Sequence, residues 1–386
     1  MNILLVSQPA RDGVLRHVAA LVDFLLAQGD RVHLAYSDYD ASDEFHALID
    51  RVRASGGRLL NLGVRNAPQP RDLPAMVQLR ALIRKVRPDV IHAHSSKAGA
   101  LVRGLGMFGM LGLRIPIFYT PHSYYLMHAP KKPKARMFHL IERLFGRVGT
   151  TITMSRCEAD FAERVIRVPH SQQMYNENGV DFSVYHPATP AIRREMRDRF
   201  GLPPDAKIIG SVGRFSPQKD PLTMYAAFAS ASRDLPDVHI AHVGQGELAA
   251  QMDAIIAANG IAHRCHRLPY MNDTSLFYRA LDGFLLTSRY EGMSYAVLES
   301  LATNLPTVLT RAPGNESFAE HGFSHIEWSQ PGDVASNDRA IRNWRESLDR
   351  PETPNHRVVA QARFSLDVTF LPLKEAYLRA ARGGAP

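Results

Sequence analysis

The sequence predicts an α/β protein built from two parallel-sheet domains. Short apolar strands alternate with amphipathic helical stretches from the first residue onward, the mark of βαβ units. The alternation stops near the middle of the chain and starts again. At 386 residues and 45% hydrophobic content, the chain can bury two cores of ordinary size.

In the first half, strands are expected at residues 3–7, 32–36, 58–62, 90–94, 117–120 and 151–155, with helices between them. The first helix, near 14–28, places Val18, Leu21, Val22 and Leu25 on one stripe. This half closes at Tyr175-Asn-Glu-Asn-Gly-Val-Asp181. The run Tyr185-His-Pro187 with Thr189-Pro190 gives the turn and extended signals of a linker near 183–190. A second series begins at Ile208-Ile-Gly-Ser-Val-Gly-Arg214 and continues through 238–243, 284–287 and 307–310; from Asp333 onward the chain reads as helical. The expected domains are therefore 1–183 and 191–365, with a C-terminal helix over 366–386 that packs back on the first domain.

Cys157 and Cys265 are the only cysteines, far apart and without a CxxC partner, so neither a disulfide framework nor a zinc site is supported. Met1-Asn-Ile-Leu-Leu-Val-Ser7 enters a strand at once and lacks the basic segment of a signal peptide. Residues 104–113, between Arg103 and Arg114, are too short an apolar run to span a bilayer. A cytoplasmic location is expected. The formal charge of +8 lies wholly in the first half: residues 1–183 hold 24 Lys+Arg against 16 Asp+Glu, and the remainder 22 against 22. Residues 71–147 contain 14 basic and 3 acidic side chains, with Lys131, Lys132, Lys134 and Arg136 clustered before a helix. Such a surface suits anionic lipid, at about 1 kcal/mol per basic side chain near the membrane; a solvated basic face is the plain alternative. No nucleic-acid motif accompanies it.

The segment Asp282-Gly-Phe-Leu-Leu-Thr-Ser288 reads as a buried strand, and the chain turns helical again at Ala296. Gly292, Met293 and Ser294 then form the open N-terminus of a helix, whose free amides attract phosphate. Glu291 lies in the loop beside the bound group, and Glu299, two turns into the helix, reaches a more distant hydroxyl pair. That spacing fits an elongated ligand, a sugar nucleotide. Val212-Gly213-Arg214-Phe-Ser-Pro217-Gln-Lys219-Asp220 ends a strand and leads into a helix, at the sheet edge where open α/β folds bind ligands. Arg214 by its planar fork and Lys219 as a point charge could hold a diphosphate and offset the charge of a leaving nucleotide. Taken alone, this segment would more often be a loop of solvated charges; with the two glutamates downstream it becomes specific.

Asp12-Gly13-Val14 follows the first strand and opens a helix, so Gly13 could admit a phosphate close to the backbone. The dinucleotide fingerprint G-x-G-x-x-G is absent, which disfavours a nicotinamide enzyme. Asp38-Tyr39-Asp40 resembles a metal-binding D-x-D but lies in a polar loop, and no metal is assigned to it. His92 inside its strand is read as structural. His122, at the strand tip Thr120-Pro121-His122-Ser123, is read as functional.

With these motifs in order, the chain resembles glycosyltransferase family 4, retaining enzymes of GT-B fold. The resemblance runs from Gly13 to about Gly314. Its most specific parts are the E-x7-E of Glu291 and Glu299, the G-R-x4-K of Gly213, Arg214 and Lys219, and the H-S-S-K-A-G of His94 to Gly99. The last of these, with Thr120-Pro-His122 and Pro313-Gly-Asn315, looks like the branch that builds bacterial exopolysaccharide, capsule and O-antigen repeats. The resemblance implies two facing Rossmann-like domains with the active site in the cleft between them. It further implies that Arg214 and Lys219 grip the donor diphosphate, Glu299 holds the ribose and Glu291 contacts the donor sugar. Gly292, Met293 and Ser294 would offer amides to sugar and phosphate, Gly13 would flank the phosphates, and His122 would face the reacting sugar. Where the family commonly has two glycines in the first loop, this chain has Asp12-Gly13; Gly244-Gln245-Gly246 keeps the family's usual pair.

The expected activity is retaining transfer of a sugar, from a UDP-sugar donor, to a hydroxyl of a lipid-linked saccharide at the inner membrane face, with neither cofactor nor metal. A nucleotide-sugar 2-epimerase of the same architecture and a noncatalytic scaffold are the alternatives. Glu291 and Glu299 invite an acid and base reading. With Arg214 and Lys219 supplying charge for the leaving group, they are better read as holders of sugar and ribose.

Overall fold

The computed structural model describes all residues except 10, 11, 40, 66, 111–114, 125, 126, 128–132, 385 and 386; the side chains of 133 and 134 are also outside it. Asp40 of the D-x-D, Arg114, Lys131, Lys132 and the Lys134 side chain therefore lie outside the described residues. The chain divides into two compact units, Met1–Gly179 with Leu366–Pro386, and Val180–Ser365.

The first unit holds a parallel sheet of seven strands: β1 (Asn2–Ser7), β2 (Arg31–Tyr36), β3 (Leu59–Asn61), β4 (Val90–His94), β5 (Ile117–Thr120), β6 (Thr150–Thr153) and β7 (Gln173–Tyr175). Their order is β3-β2-β1-β4-β5-β6-β7. In β1, Ile3, Leu4, Leu5 and Val6 have no exposed surface, because helices cover both faces of a parallel sheet. The helix Asp12–Ala27 buries its predicted stripe of Val18, Leu21, Val22 and Leu25. The last helix, Leu366–Ala381, joins this unit: it packs on Asp12–Ala27 and β4. Phe370, Leu373 and Tyr377 enter the core there, and Lys374 Nζ lies 2.8 Å from Asp30.

The second unit holds β8 (Lys207–Val212), β9 (Val238–Val243), β10 (Cys265–Leu268), β11 (Gly283–Leu286), β12 (Thr307–Thr310) and β13 (Ile326–Ser329), all parallel. The order β10-β9-β8-β11-β12-β13 reverses direction between β8 and β11. The crevice at such a reversal, beyond the carboxyl ends of the strands, is where doubly wound sheets take ligands. It is flanked by the loops after Val212 and after Leu286. In the first unit the reversal falls between β1 and β4, beside Ser7 and His94.

Three strands, β7, β10 and β13, go unread in the sequence, being three or four residues long, polar and only partly buried. β6 ends at Thr153, not at 155, because the Ser155 side chain accepts from the Glu158 amide, 3.4 Å away, and caps the helix Arg156–Phe161. Beyond Asp333 the helical reading resolves into Val334–Ser347, His356–Phe364 and Leu366–Ala381.

Candidate functional site

In the second unit, β8 runs out at Val212 and the chain turns through Gly213 to Lys219 before the helix Pro221–Ala231. Asp220 starts that helix: its side chain accepts from the Thr223 hydroxyl at 2.8 Å and pairs with Arg289 at 3.0 Å. The Thr287 hydroxyl donates to the carbonyls of Lys219 and Asp220, 3.1 and 3.0 Å away, and so ties the loop after β11 to the loop after β8. The close packing continues on the other side. A Cβ on Gly244 would lie 2.0 Å from the Gly213 carbonyl oxygen, so only glycine lets the β9 loop pass there.

This frame brings Lys219 and Glu291 into contact. Lys219 Nζ lies 2.6 Å from Glu291 Oε1, and the Ser288 hydroxyl donates to the same oxygen at 2.6 Å. Glu291 is buried, and its amide donates to the Pro313 carbonyl at 2.8 Å. Arg214 is exposed, with its guanidinium 3.4 Å from Gln218 Oε1. Met293 and Ser294 are buried and Gly292 half-buried. Ser294 precedes the helix Tyr295–Ala302 without capping it by its side chain, and its hydroxyl is buried with no partner among the described residues. An orphaned buried hydroxyl beside helix amides suits an anionic or hydroxyl-bearing ligand.

Glu299 is the fifth residue of the helix Tyr295–Ala302, a little over one turn in and not two. It is almost wholly buried, and its Oε2 accepts from Tyr278 at 2.9 Å and from Thr274 at 3.4 Å. Tyr278, Thr274 and Arg289 belong to this constellation and have no place in the sequence reading, where Ser288 enters only as the end of a strand. Their only sequence signal is a place within a few residues of β11 or of its preceding helix.

In the first unit, Gly13 lies in the first turn of the helix Asp12–Ala27, which opens after the first strand, and is exposed. Lys97 of the His94–Gly99 motif points inward: it pairs with Asp72 at 2.6 Å and donates to the Ala67 carbonyl. His92 is structural, its ring nitrogens 2.5 Å from the Tyr377 hydroxyl and 2.8 Å from that of Thr120. His122 has φ +54 and Ser123 φ +82, a left-handed stretch rare outside glycine, held by the Ser123 amide donating to Glu158 at 2.6 Å. His122 Nε2 lies 3.1 Å from His94 Nδ1, and His17 packs edge-on against the His122 ring at 4.9 Å.

Burial holds these imidazoles neutral. It pushes His17 down to about 4 against the opposing hydrogen bond to Asn178, and holds His92, His94 and His122 well below the usual range, where neighbouring histidines add to the effect. A histidine depressed in the folded state stabilises the fold above its unfolded value near 6.5, and that stability drains away as pH falls toward the folded value. His17 alone amounts to about 3 kcal/mol across that window. The first unit should therefore melt at progressively lower temperature between pH 6.5 and 4; a melting temperature flat from pH 7 to 5 contradicts this.

Residues 11–184 match the model of the family described as Glycosyltransferase Family 4, and residues 192–357 that of Glycosyl transferases group 1. The chain is 26% identical over 269 residues to the UDP-Gal:alpha-D-GlcNAc-diphosphoundecaprenol alpha-1,3-galactosyltransferase of Escherichia coli, covering 67% of each protein. It is 31% identical over 145 residues to the lipopolysaccharide core biosynthesis glycosyltransferase LpsE of Rhizobium meliloti, covering 38% of this chain and 41% of LpsE. In fold it is similar to Anabaena HepE, solved in complex with UDP, at TM-score 0.80 and 18% identity, covering 97% of this chain and 99% of that one. The sucrose-phosphate synthase of Thermosynechococcus elongatus superposes at TM-score 0.78 and 19% identity, covering 99% of both chains.

Proposed function

This chain belongs to glycosyltransferase family 4, and we propose that it moves a sugar from a UDP-sugar to a hydroxyl of a lipid-linked saccharide with retention at the anomeric carbon. The contact of Lys219 with Glu291 at 2.6 Å carries this reading. It puts the cation meant for the diphosphate one hydrogen bond from the carboxylate meant for the sugar, as the sugar–phosphate bond of a donor requires. Lys219 and Arg214 offset the charge that grows on the leaving diphosphate, so no metal is needed there. Gly213 and the backbone of Gly292, Met293 and Ser294 hold the phosphates and sugar, Glu299 the ribose, and Gly13 the phosphates from the first unit. His122 faces the transferred sugar. Glu291 is a poor nucleophile because one of its oxygens already accepts from Lys219 and Ser288. The working mechanism is therefore front-face displacement, in which the leaving phosphate oxygen takes the acceptor's proton. The donor and acceptor named for the Escherichia coli relative support the UDP-sugar and the lipid-linked saccharide.

Association with the membrane surface is part of the same reading. Of the three acidic residues within 71–147, Asp72 and Glu142 are neutralised internally by Lys97 and Arg103, which leaves 14 − 2 = 12 basic side chains against Asp89. The helix Pro133–Phe145 exposes Met137, Leu140 and Leu144 at one-turn and two-turn spacing, beside exposed Arg136 and Arg143. Apolar side chains ringed by cations suit the headgroup layer of an anionic bilayer. No helix among the described residues is long and apolar enough to cross a membrane.

Two measurements test the reading. In a thermal-shift series, a UDP-sugar at about 100 times its dissociation constant should stabilise the chain by about 2.7 kcal/mol, with GDP- and ADP-sugars well behind. Absence of nucleotide binding would favour a noncatalytic scaffold, and conversion of UDP-GlcNAc without any acceptor would favour the 2-epimerase. In sedimentation, phosphatidylglycerol vesicles should carry the protein down and neutral vesicles should not; equal recovery with both refutes the electrostatic part.

A further inference from the structure

The imidazoles of the first unit support one inference, which rests on the reading that His122 faces the transferred sugar. His17 Nδ1 lies 3.0 Å from the carbonyl oxygen of the Asn178 side chain. That oxygen only accepts, so the His17 proton sits on Nδ1 and its Nε2, buried without a partner, is a lone pair. The bond between His94 Nδ1 and His122 Nε2 leaves open which nitrogen carries the proton. The rest of the His94 ring decides it. His94 Nε2 is buried and has no hydrogen-bond partner among the described residues. A proton there would leave a buried N–H orphaned, which is rarer than an under-satisfied acceptor. The His94 proton therefore belongs on Nδ1, and His94 donates to His122. A neutral imidazole has a single proton, so that of His122 is on Nδ1.

We propose that His94 is a positioning residue that fixes His122 in its Nδ1–H tautomer, so that His122 meets the bound sugar as a hydrogen-bond donor and not as a base. His122 is half-buried, and its Nδ1 has no partner among the described residues. The left-handed backbone at His122 and Ser123, anchored on Glu158, sets the direction in which that nitrogen points. With His122 a donor, it does not compete for the acceptor's proton, which the proposed front-face mechanism sends to the leaving phosphate.

Long-range ¹H–¹⁵N correlation on the full chain with ¹⁵N-labelled histidine reads the tautomer directly. His122 is expected with Nδ1 protonated and Nε2 bare; the reverse assignment overturns the proposal, whatever the variants do. In His94→Asn the amide nitrogen takes the place of Nδ1 and keeps the donor, whereas His94→Gln and His94→Ala lose it. Turnover should fall about ten- to hundredfold in the Gln and Ala variants with donor KM little changed, and should stay near wild type in Asn. Equal losses in all three, or wild-type kcat in His94→Ala, overturn it. One ring nitrogen from each of His17, His94 and His122 lies within 4.8 Å of the other two, close enough to hold a cation. About one equivalent of zinc in the purified protein would also overturn it, since a metal takes the lone pairs that the tautomer assigns. Full transfer by His122→Ala would instead sink the reading of His122 itself, on which the spectrum does not depend.

Discussion

Lys219→Ala lowers kcat by about 10²–10³ and the melting temperature as well, for two separable reasons. The first is chemical: a fixed cation aimed at charge that develops in the transition state contributes on that scale. The second is thermodynamic, because Glu291 is almost fully buried and its ion pair with Lys219 spans 2.6 Å. Removing the cation alone strands a buried carboxylate, at about 3 kcal/mol. The double variant Lys219→Met with Glu291→Gln removes both charges, so it should recover most of the melting temperature and none of the turnover. Transfer assays and thermal melts on the two proteins check this. Wild-type turnover in Lys219→Ala sinks the assignment of the diphosphate site.

Gly314→Ala should disable the same site from outside it. Gly314 has φ +90, and a Cβ there would lie 2.3 Å from the Glu291 carbonyl oxygen and 2.6 Å from that of Gly292. Both obstacles are backbone, so no rotamer change relieves them. The strained dihedral costs about 1–3 kcal/mol, and the turn that carries Glu291, Gly292 and Met293 must shift. Donor affinity should drop at least about tenfold, since misplacement of about 1 Å near a reacting centre has large effects. Calorimetry with UDP together with a melting curve measures both; an unchanged dissociation constant would show that the loop tolerates the methyl group.

The parts of this protein that were legible in its sequence are those set by local pattern. Strand after strand of apolar residues, each followed by a helical stripe such as Val18, Leu21, Val22 and Leu25, fixes the α/β class and the break between units. Arg214 with Lys219, and Glu291 with Glu299, could be read because each pair sits on one strand-to-helix turn. The contact of Lys219 with Glu291 could not, for it joins residues 72 positions apart and depends on β8 lying beside β11. Strand order is a property of the whole sheet and leaves no trace in the spacing of either loop. Three of the four edge strands were hidden for a related reason: half-exposed and polar, Gln173-Met-Tyr175 lacks the apolar run by which the edge strand β3 was recognised. His94 ends one strand, yet its partner His122 comes 28 residues later, in the turn just past the next strand.

The seven-stranded unit is discontinuous in the chain, since residues Leu366–Pro386 return to it after the whole second unit has been made. During synthesis the N-terminal portion therefore emerges with an incomplete core. The surface of Asp12–Ala27 that receives Phe370, Leu373 and Tyr377 stays uncovered until the last helix leaves the ribosome. A product cut short between residues 179 and 366 lacks the last helix and can finish the six-stranded unit at best. Closure of the first unit therefore waits on the helix Leu366–Ala381, which the chain makes only after the whole six-stranded unit.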